Sequence, residues 1–156
     1  MLADRLSATH GWPWVPEYGR AYCEERGTDL TMEDLLTIAE GQDAANRAAL
    51  AASPSLLLLD TDHLMTAAWA QMLFDTVPPR LMSYPKADLY LLFEPDVPWQ
   101  ADGTRLFGTA DTRARFAGIV EDVLVRAAVP FVRIAGDWSE REARVCAAID
   151  GVLERV

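Results

Sequence analysis

Two aspartates stand at the end of the most apolar stretch of this chain. Residues 56–62 read LLLLDTD, so Asp60 and Asp62 follow four consecutive leucines. A continuous apolar run of this kind is typical of a parallel strand that is buried on both faces. At the end of such a strand, Asp60 could hold Mg²⁺ through water in a phosphoryl-transfer site, and Asp62 could bind a sugar hydroxyl. Alternatively, Thr61 or Asp62 only caps a helix that begins near residue 63, and spacing alone favours this cap.

A second group of reactive side chains lies in PEYGR, residues 16–20. Here Glu17, Tyr18 and Arg20 place an acid, an aromatic ring and a base within one helical turn. Because Glu17 and Arg20 are three residues apart, they can form a surface ion pair worth a few tenths of a kcal/mol. Spacing alone favours that ion pair over a binding site.

A third group lies in PDVPWQADGTR, residues 95–105. Such a loop could close over a ligand, exclude water and bring Arg105 to a phosphate. Proline, aspartate and glycine are also ordinary turn residues, so the loop can equally be structural. Trp99 argues for the first interpretation, because a tryptophan in a polar loop needs a partner that covers it.

Four short apolar segments predict the strands that position these residues. They lie near residues 14, 58, 90 and 132. Roughly 30 to 45 residues separate consecutive strands, which is too long for hairpins and favours right-handed crossovers in a parallel sheet. The predicted fold class is therefore α/β, with a parallel sheet flanked by helices. Ligands of such sheets bind beyond the carboxyl ends of the strands, so Glu94, Asp96 and Asp137 are further candidates.

Amphipathic stretches between the strands predict the helices. These cover residues 2–9, 17–26, 31–52, 63–74 and 112–127, with one more helix near the C-terminus. Capping boxes are predicted at Thr31 with Asp34, and at Ser139 with Glu142.

Composition bounds the remaining choices. The chain has 156 residues, which fits a single domain over residues 1–156. Its net charge of -10 argues against a nucleic-acid partner, because phosphates would be repelled. Cys23 and Cys146 show no metal spacing and are interpreted as reduced thiols of a cytoplasmic protein. No segment predicts a membrane span or a signal peptide, and the sequence does not determine the oligomeric state.

Taken together, these segments resemble the NadR-type ribosylnicotinamide kinase domain, a group often labelled as AAA-type ATPase domains. The resemblance covers nearly the whole chain and rests on WVPEYGR (14–20), DLTMEDLLTIAEGQ (29–42), LLLLDTDHLMTAAW (56–69), DLYLLFEPDVPWQADGTR (88–105) and FVRIAGDWSER (131–141). It implies a P-loop kinase fold that uses ATP and Mg²⁺. It also implies a small-molecule nucleoside as partner, namely nicotinamide riboside, phosphorylated on its ribose 5′-hydroxyl to nicotinamide mononucleotide.

The resemblance implies roles for the first two groups of side chains. Glu17 would be the base or the group that orients the reacting hydroxyl, with Tyr18 and Arg20 at the nucleoside. Asp60 would be catalytic and hold the metal, and Asp62 would bind substrate.

The resemblance also implies roles for the loop. Trp99 and Asp102 would cover the nucleoside, and Arg105 would be a catalytic lid arginine that faces the phosphates.

The sequence departs from that family at one motif. A kinase of this kind carries a strand followed by G-x-x-x-x-G-K-[ST], whose backbone amides and lysine hold the phosphates, and the motif does not occur in these 156 residues. We therefore expect a P-loop kinase-like fold with its first strand missing, in which the strands at 56–60 and 88–93 pair directly within one four-stranded sheet. Two functions stay open: a nucleoside kinase represented without its first segment, and an inactive nucleoside-binding module. A kinase or ATPase with another acceptor is a third.

Overall fold

The computed structural model describes residues 2–96 and 109–154 of the chain. The chain divides into two compact units, Met1–Tyr84 and Pro85–Val156, and each contains a small parallel sheet with helices. The predicted α/β class with parallel strands is confirmed. The assignment of residues 1–156 to one domain stays a prediction.

The first unit alternates helices with two very short strands. In chain order its elements are α1 (Leu2–His10), β1 (Trp14–Val15), α2 (Tyr18–Arg26), α3 (Met32–Leu50), β2 (Leu58–Leu59), α4 (His63–Phe74) and α5 (Pro79–Ser83). The predicted helices match α1 to α4 to within two residues at each end. The short α5 was not predicted, and Pro79 at its first turn supplies a backbone angle that is already helical.

Helix α3 begins at the predicted capping box. The Thr31 side chain accepts a hydrogen bond from the Asp34 amide, and the Asp34 carboxylate accepts one from the Thr31 amide. The Tyr22 hydroxyl donates to the same carboxylate. Hydrogen bonds from Thr31 and then from Tyr22 lower the pKa of Asp34 to about 2. The start of α3 is therefore fixed by a charged cap that α2 also contacts.

The core of the first unit is built around α3, which packs against α2, α4 and β1. Its buried face is apolar in the first half, with Leu35, Ile38 and Ala39, and polar in the second half, with Gln42, Asp43 and Asn46. The facing helix α4 buries mostly small side chains, which allows the two helices to approach closely: Ala67, Ala68 and Ala70 are fully buried. Buried polar side chains need partners: Gln42 finds them in the Tyr18 amide and the Pro16 carbonyl beyond β1, and Asp43 pairs with Arg47.

Strands β1 and β2 pair in parallel, with Trp14 opposite Leu58 and Val15 opposite Leu59. The Asp60 amide donates to the Val15 carbonyl at 3.0 Å. Both leucines of β2 are half-buried, so the prediction of a strand buried on both faces was wrong. A two-stranded sheet leaves one edge of each strand without a neighbouring strand, which explains this exposure.

The second unit contains β3 (Tyr90–Phe93), α6 (Ala110–Arg126), β4 (Phe131–Ile134) and α7 (Trp138–Leu153). Strands β3 and β4 pair in parallel with Tyr90 opposite Phe131. The core joins both strands to both helices through Leu92, Ile134, Val123, Leu124, Val145 and Ile149.

The predicted four-stranded sheet was wrong. Within the described residues, β1 pairs with β2 and β3 pairs with β4, as two separate two-stranded sheets. The run at 56–60 forms only a two-residue strand, and its ladder partner is β1 rather than 88–93. Each described strand thus pairs with a strand of its own unit, after a crossover through helices.

The cap of α7 also differs from the prediction. The helix begins one residue before Ser139, and its capping box consists of Asp137 and Glu140 rather than Ser139 and Glu142. Gly136, with a φ of 101°, makes the turn that places Asp137 at the N-cap.

A buried arginine joins the carboxyl ends of β3 and β4. Arg141 of α7 is only 2% exposed and donates to the carbonyls of Gly136 and Glu94, each at 2.8 Å. It also forms an ion pair with Asp96, whose carboxylate accepts a further hydrogen bond from the Gly136 amide. That amide is the main cause of the lowered pKa of Asp96. The strand ends of the second unit are therefore held by structural contacts.

Candidate functional site

The end of the β1–β2 pair brings together two of the predicted site residues. Parallel pairing places Glu17 two residues beyond β1 and Asp60 one residue beyond β2. The backbone of Glu17 acts to lower the pKa of the Asp60 carboxyl. Sequence reasoning placed both acids just after strands, and in the structure they follow β1 and β2.

Burial controls the charge of Asp60. Removal of water raises the pKa of this half-buried carboxyl, while the positive charge of Arg20 and the hydrogen bond from the Glu17 amide oppose that rise. A carboxylate that is partly shielded from water interacts more strongly with a cation than an exposed one does. Asp60 is therefore chemically suited to bind a metal ion or a polar ligand.

Arg20 pairs with Glu17, and its positive charge also acts to lower the pKa of Asp60. Its Nε is 3.8 Å from Glu17 Oε2, and both side chains are about one third exposed, at 32% and 28%. The predicted ion pair of α2 is thus present. Partly exposed pairs stabilise a fold by about 1 kcal/mol at most.

Asp62 caps α4. Its Oδ1 accepts a hydrogen bond from the Leu64 amide at 2.8 Å, and the residue is 8% exposed. The interpretation of Asp62 as a helix cap is confirmed. Its role in binding substrate stays a prediction.

Tyr18 is held by a residue that the sequence did not single out. The Tyr18 amide donates to Gln42 Oε1 at 2.9 Å, and Gln42 is 2% exposed. The ring of Tyr18 lies against the backbone of α3 at Gly41 and stays 39% exposed. Gln42 ends the segment DLTMEDLLTIAEGQ, but a glutamine inside a helix carries no spacing signal that would identify a contact to another element.

The loop residues Trp99, Asp102 and Arg105 lie outside the described residues, so their predicted roles stay predictions.

The candidates at the ends of β3 and β4 serve the fold of the second unit. Glu94 pairs with Arg133 at 2.6 Å, and Arg133 also pairs with Glu121. Asp137 is occupied as the cap of α7. A cavity of about 240 Å³ lies beside Glu94, with Leu92, Ala117 and Gly118 in its lining. The charged groups of its lining pair with one another, so we assign it no ligand.

Within residues 2–96 and 109–154, no group of three or more His, Cys, Asp or Glu side chains is arranged to hold a metal ion. A single carboxylate such as Asp60 still fits Mg²⁺, which proteins usually bind through one or two carboxylates together with substrate phosphates and water. In the same part of the chain, every helix is too short or too polar to cross a lipid bilayer.

Replacing Asp62 separates its cap from any other role. We expect Asp62→Ala to lower the free energy of unfolding by about 1 kcal/mol, because the Leu64 amide loses its acceptor. The free energy of unfolding of Asp62→Ser should lie within about 0.5 kcal/mol of the wild-type value, since serine caps helices equally well. Urea denaturation measures both, with Asp29→Ala at an exposed position as control. Equal stability of Asp62→Ala and the wild type would contradict the cap.

Comparisons with known proteins identify the family. Residues 1–141 match the sequence model of the AAA domain family. Over 140 residues, or 85% of this chain, the sequence is 28% identical to the Trifunctional NAD biosynthesis/regulator protein NadR of Escherichia coli (strain K12) and 27% identical to the protein of that name from Salmonella typhimurium (strain LT2). The chain spans about a third, 33%, of the length of these curated relatives. The resemblance drawn from the motifs is confirmed: the chain belongs to the AAA domain family and is a NadR-like domain of the P-loop kinase type.

Proposed function

We propose that this chain is a nucleoside kinase-like domain whose nucleoside site lies at the carboxyl ends of β1 and β2. The acceptor is nicotinamide riboside, and the reaction is transfer of the γ-phosphate of ATP to its ribose 5′-hydroxyl. The observation that carries the proposal is the parallel pairing of β1 with β2, which places Glu17 and Asp60 just beyond neighbouring strand ends, with Arg20 Nε 3.8 Å from Glu17. The similarity to proteins named for NAD biosynthesis supports the choice of acceptor.

The side chains divide the chemistry between them. Glu17, about one quarter exposed at 28%, accepts the hydrogen bond of the 5′-hydroxyl and orients it. The positive charge of Arg20 stabilises the negative charge that develops on the phosphate during transfer. Tyr18 offers a partly exposed ring to the nucleoside base, and Asp62 contacts a sugar hydroxyl.

The site offers a carboxylate that suits Mg²⁺, but the sequence lacks the motif that binds the ATP phosphates. Asp60 would hold the ion, which supplies charge neutralisation at the phosphates when bound. The 156 residues contain no G-x-x-x-x-G-K-[ST], the motif whose backbone amides and lysine bind the ATP phosphates.

The loop 95–105 completes the proposal. Trp99 and Asp102 would cover the nucleoside, and Arg105 would reach the transferred phosphate. A cytoplasmic location, and the absence of nucleic-acid and membrane partners, belong to the same proposal.

The second candidate is an inactive nucleoside-binding module. The binding module is compatible with the absence of the phosphate-binding motif from these 156 residues, because nucleoside binding at the ends of β1 and β2 does not require that motif. The two candidates share a nucleoside site and differ in phosphate transfer.

We expect nicotinamide riboside to bind this chain in titration calorimetry. Glu17→Gln should weaken binding by about tenfold or more, because it removes the charged acceptor of the 5′-hydroxyl. Asp29→Asn, at an exposed position, is the matched control and should change the affinity by less than about twofold. Binding of another nucleoside with none of nicotinamide riboside at millimolar concentration would overturn the choice of acceptor.

Phosphate transfer distinguishes the two candidates. We expect the 156-residue chain to form no nicotinamide mononucleotide from ATP and Mg²⁺ in a coupled assay, because its sequence lacks the phosphate-binding motif. Adding a strand with a G-x-x-x-x-G-K-[ST] loop before Leu2 should give turnover that Asp60→Asn abolishes. A well-folded fusion without turnover would favour the binding module, and turnover by the unmodified chain would contradict the expectation.

A further inference from the structure

A glycine in the middle of α3 touches the ring of Tyr18. Gly41 is an interior position of this helix, where glycine is less favourable than alanine. A Cβ atom built at residue 41 would lie 2.3 Å from Cζ and 2.4 Å from Cε1 of Tyr18. No side chain fits there unless the ring moves. The Tyr18 ring therefore lies directly on the helix backbone, and the glycine is what permits it.

The next residue of the helix holds the backbone on both sides of Glu17. Gln42 Oε1 accepts from the Tyr18 amide at 2.9 Å, and Gln42 Nε2 contacts the Pro16 carbonyl at 3.4 Å. The same Nε2 donates to Asn46 Oδ1 at 3.0 Å. The amide accepts through its oxygen and donates through its nitrogen, and its 2% exposure leaves little room for water to replace it.

We propose that Gly41 and Gln42 are positioning residues of the nucleoside site. Gln42 fixes the backbone from Pro16 to Tyr18, and with it the position of Glu17 at the end of β1. Gly41 seats the Tyr18 ring so that its exposed part, 39% of the residue, meets the ligand. The ligand class is a nucleoside with a flat heteroaromatic base, which stacks on a tyrosine ring held in place. This inference rests on the proposed function.

Gly41→Ala tests the inference with a matched control. Gly118→Ala makes the same change inside α6, where an added Cβ meets no atom within 4 Å. Both substitutions favour the helix, and Gly118→Ala should raise the melting temperature by about 2–4 °C. We expect Gly41→Ala to weaken the binding of nicotinamide riboside about tenfold, and Gly118→Ala to change the affinity less than about twofold.

A spectroscopic readout makes the test independent of ligand. In protein labelled with 3-fluorotyrosine, the ¹⁹F resonance of Tyr18, assigned with Tyr18→Phe, should move in Gly41→Ala and stay in place in Gly118→Ala. An unmoved resonance in Gly41→Ala overturns the role of the glycine. If the wild type binds nicotinamide riboside and Gly41→Ala binds it equally well, this inference fails while the proposed function stands. If the wild type binds no nucleoside, the proposed function itself fails.

Gln42 is tested by two substitutions. Gln42→Met removes all side-chain hydrogen bonds of residue 42 and should weaken the binding of nicotinamide riboside about tenfold or more. Gln42→Glu can still accept from the Tyr18 amide, so we expect its affinity to lie between those of Gln42→Met and the wild type. Gln71→Met, which removes the hydrogen bond from Gln71 to Asp75 on α4, is the control and should bind like the wild type. Equal affinities for Gln42→Met and Gln71→Met would overturn the role of Gln42.

Discussion

The backbone hydrogen bonds between β1 and β2 set the geometry on which the candidate site depends. The Leu58 amide donates to the Pro13 carbonyl and the Asp60 amide to the Val15 carbonyl, each at 3.0 Å. A shift of one residue would turn the side chain of Asp60 to the opposite face of the pair. This register places Asp60 just beyond β2, beside the end of β1 that Glu17 follows. Two short strands are enough for it, because helices supply most of the packing of the first unit.

Helix α3 is the support of that arrangement. It buries apolar side chains in its first half, which packs the unit, and polar ones in its second half. Unsatisfied polar groups would be costly in such a position, so the contacts of Gln42 with the Pro16–Tyr18 segment also serve stability. The same helix thus holds the fold together and fixes the residues that a nucleoside would meet.

Local patterns predicted much of this fold, and long-range pairing escaped them. The limits of α4 and the Thr31–Asp34 cap follow from signals that lie within a few residues, and both were predicted correctly. Which strands pair depends on contacts distant in sequence, and the expected pairing of 56–60 with 88–93 was wrong. Gln42 was missed for the same reason, since its partner Tyr18 lies 24 residues away. The strand-end rule selected Glu17 and Asp60, which the structure places one or two residues beyond β1 and β2, and their functional role stays a prediction.

The most direct test is a map of the ligand on the backbone. Amide chemical shifts of the ¹⁵N-labelled chain would be followed while nicotinamide riboside is added. A nucleoside site at the ends of β1 and β2 predicts the largest changes at residues 16–20 and 60–62, with smaller ones at Gly41 and Gln42. Changes concentrated instead around the cavity beside Glu94, with residues 16–20 unmoved, would contradict the proposed site.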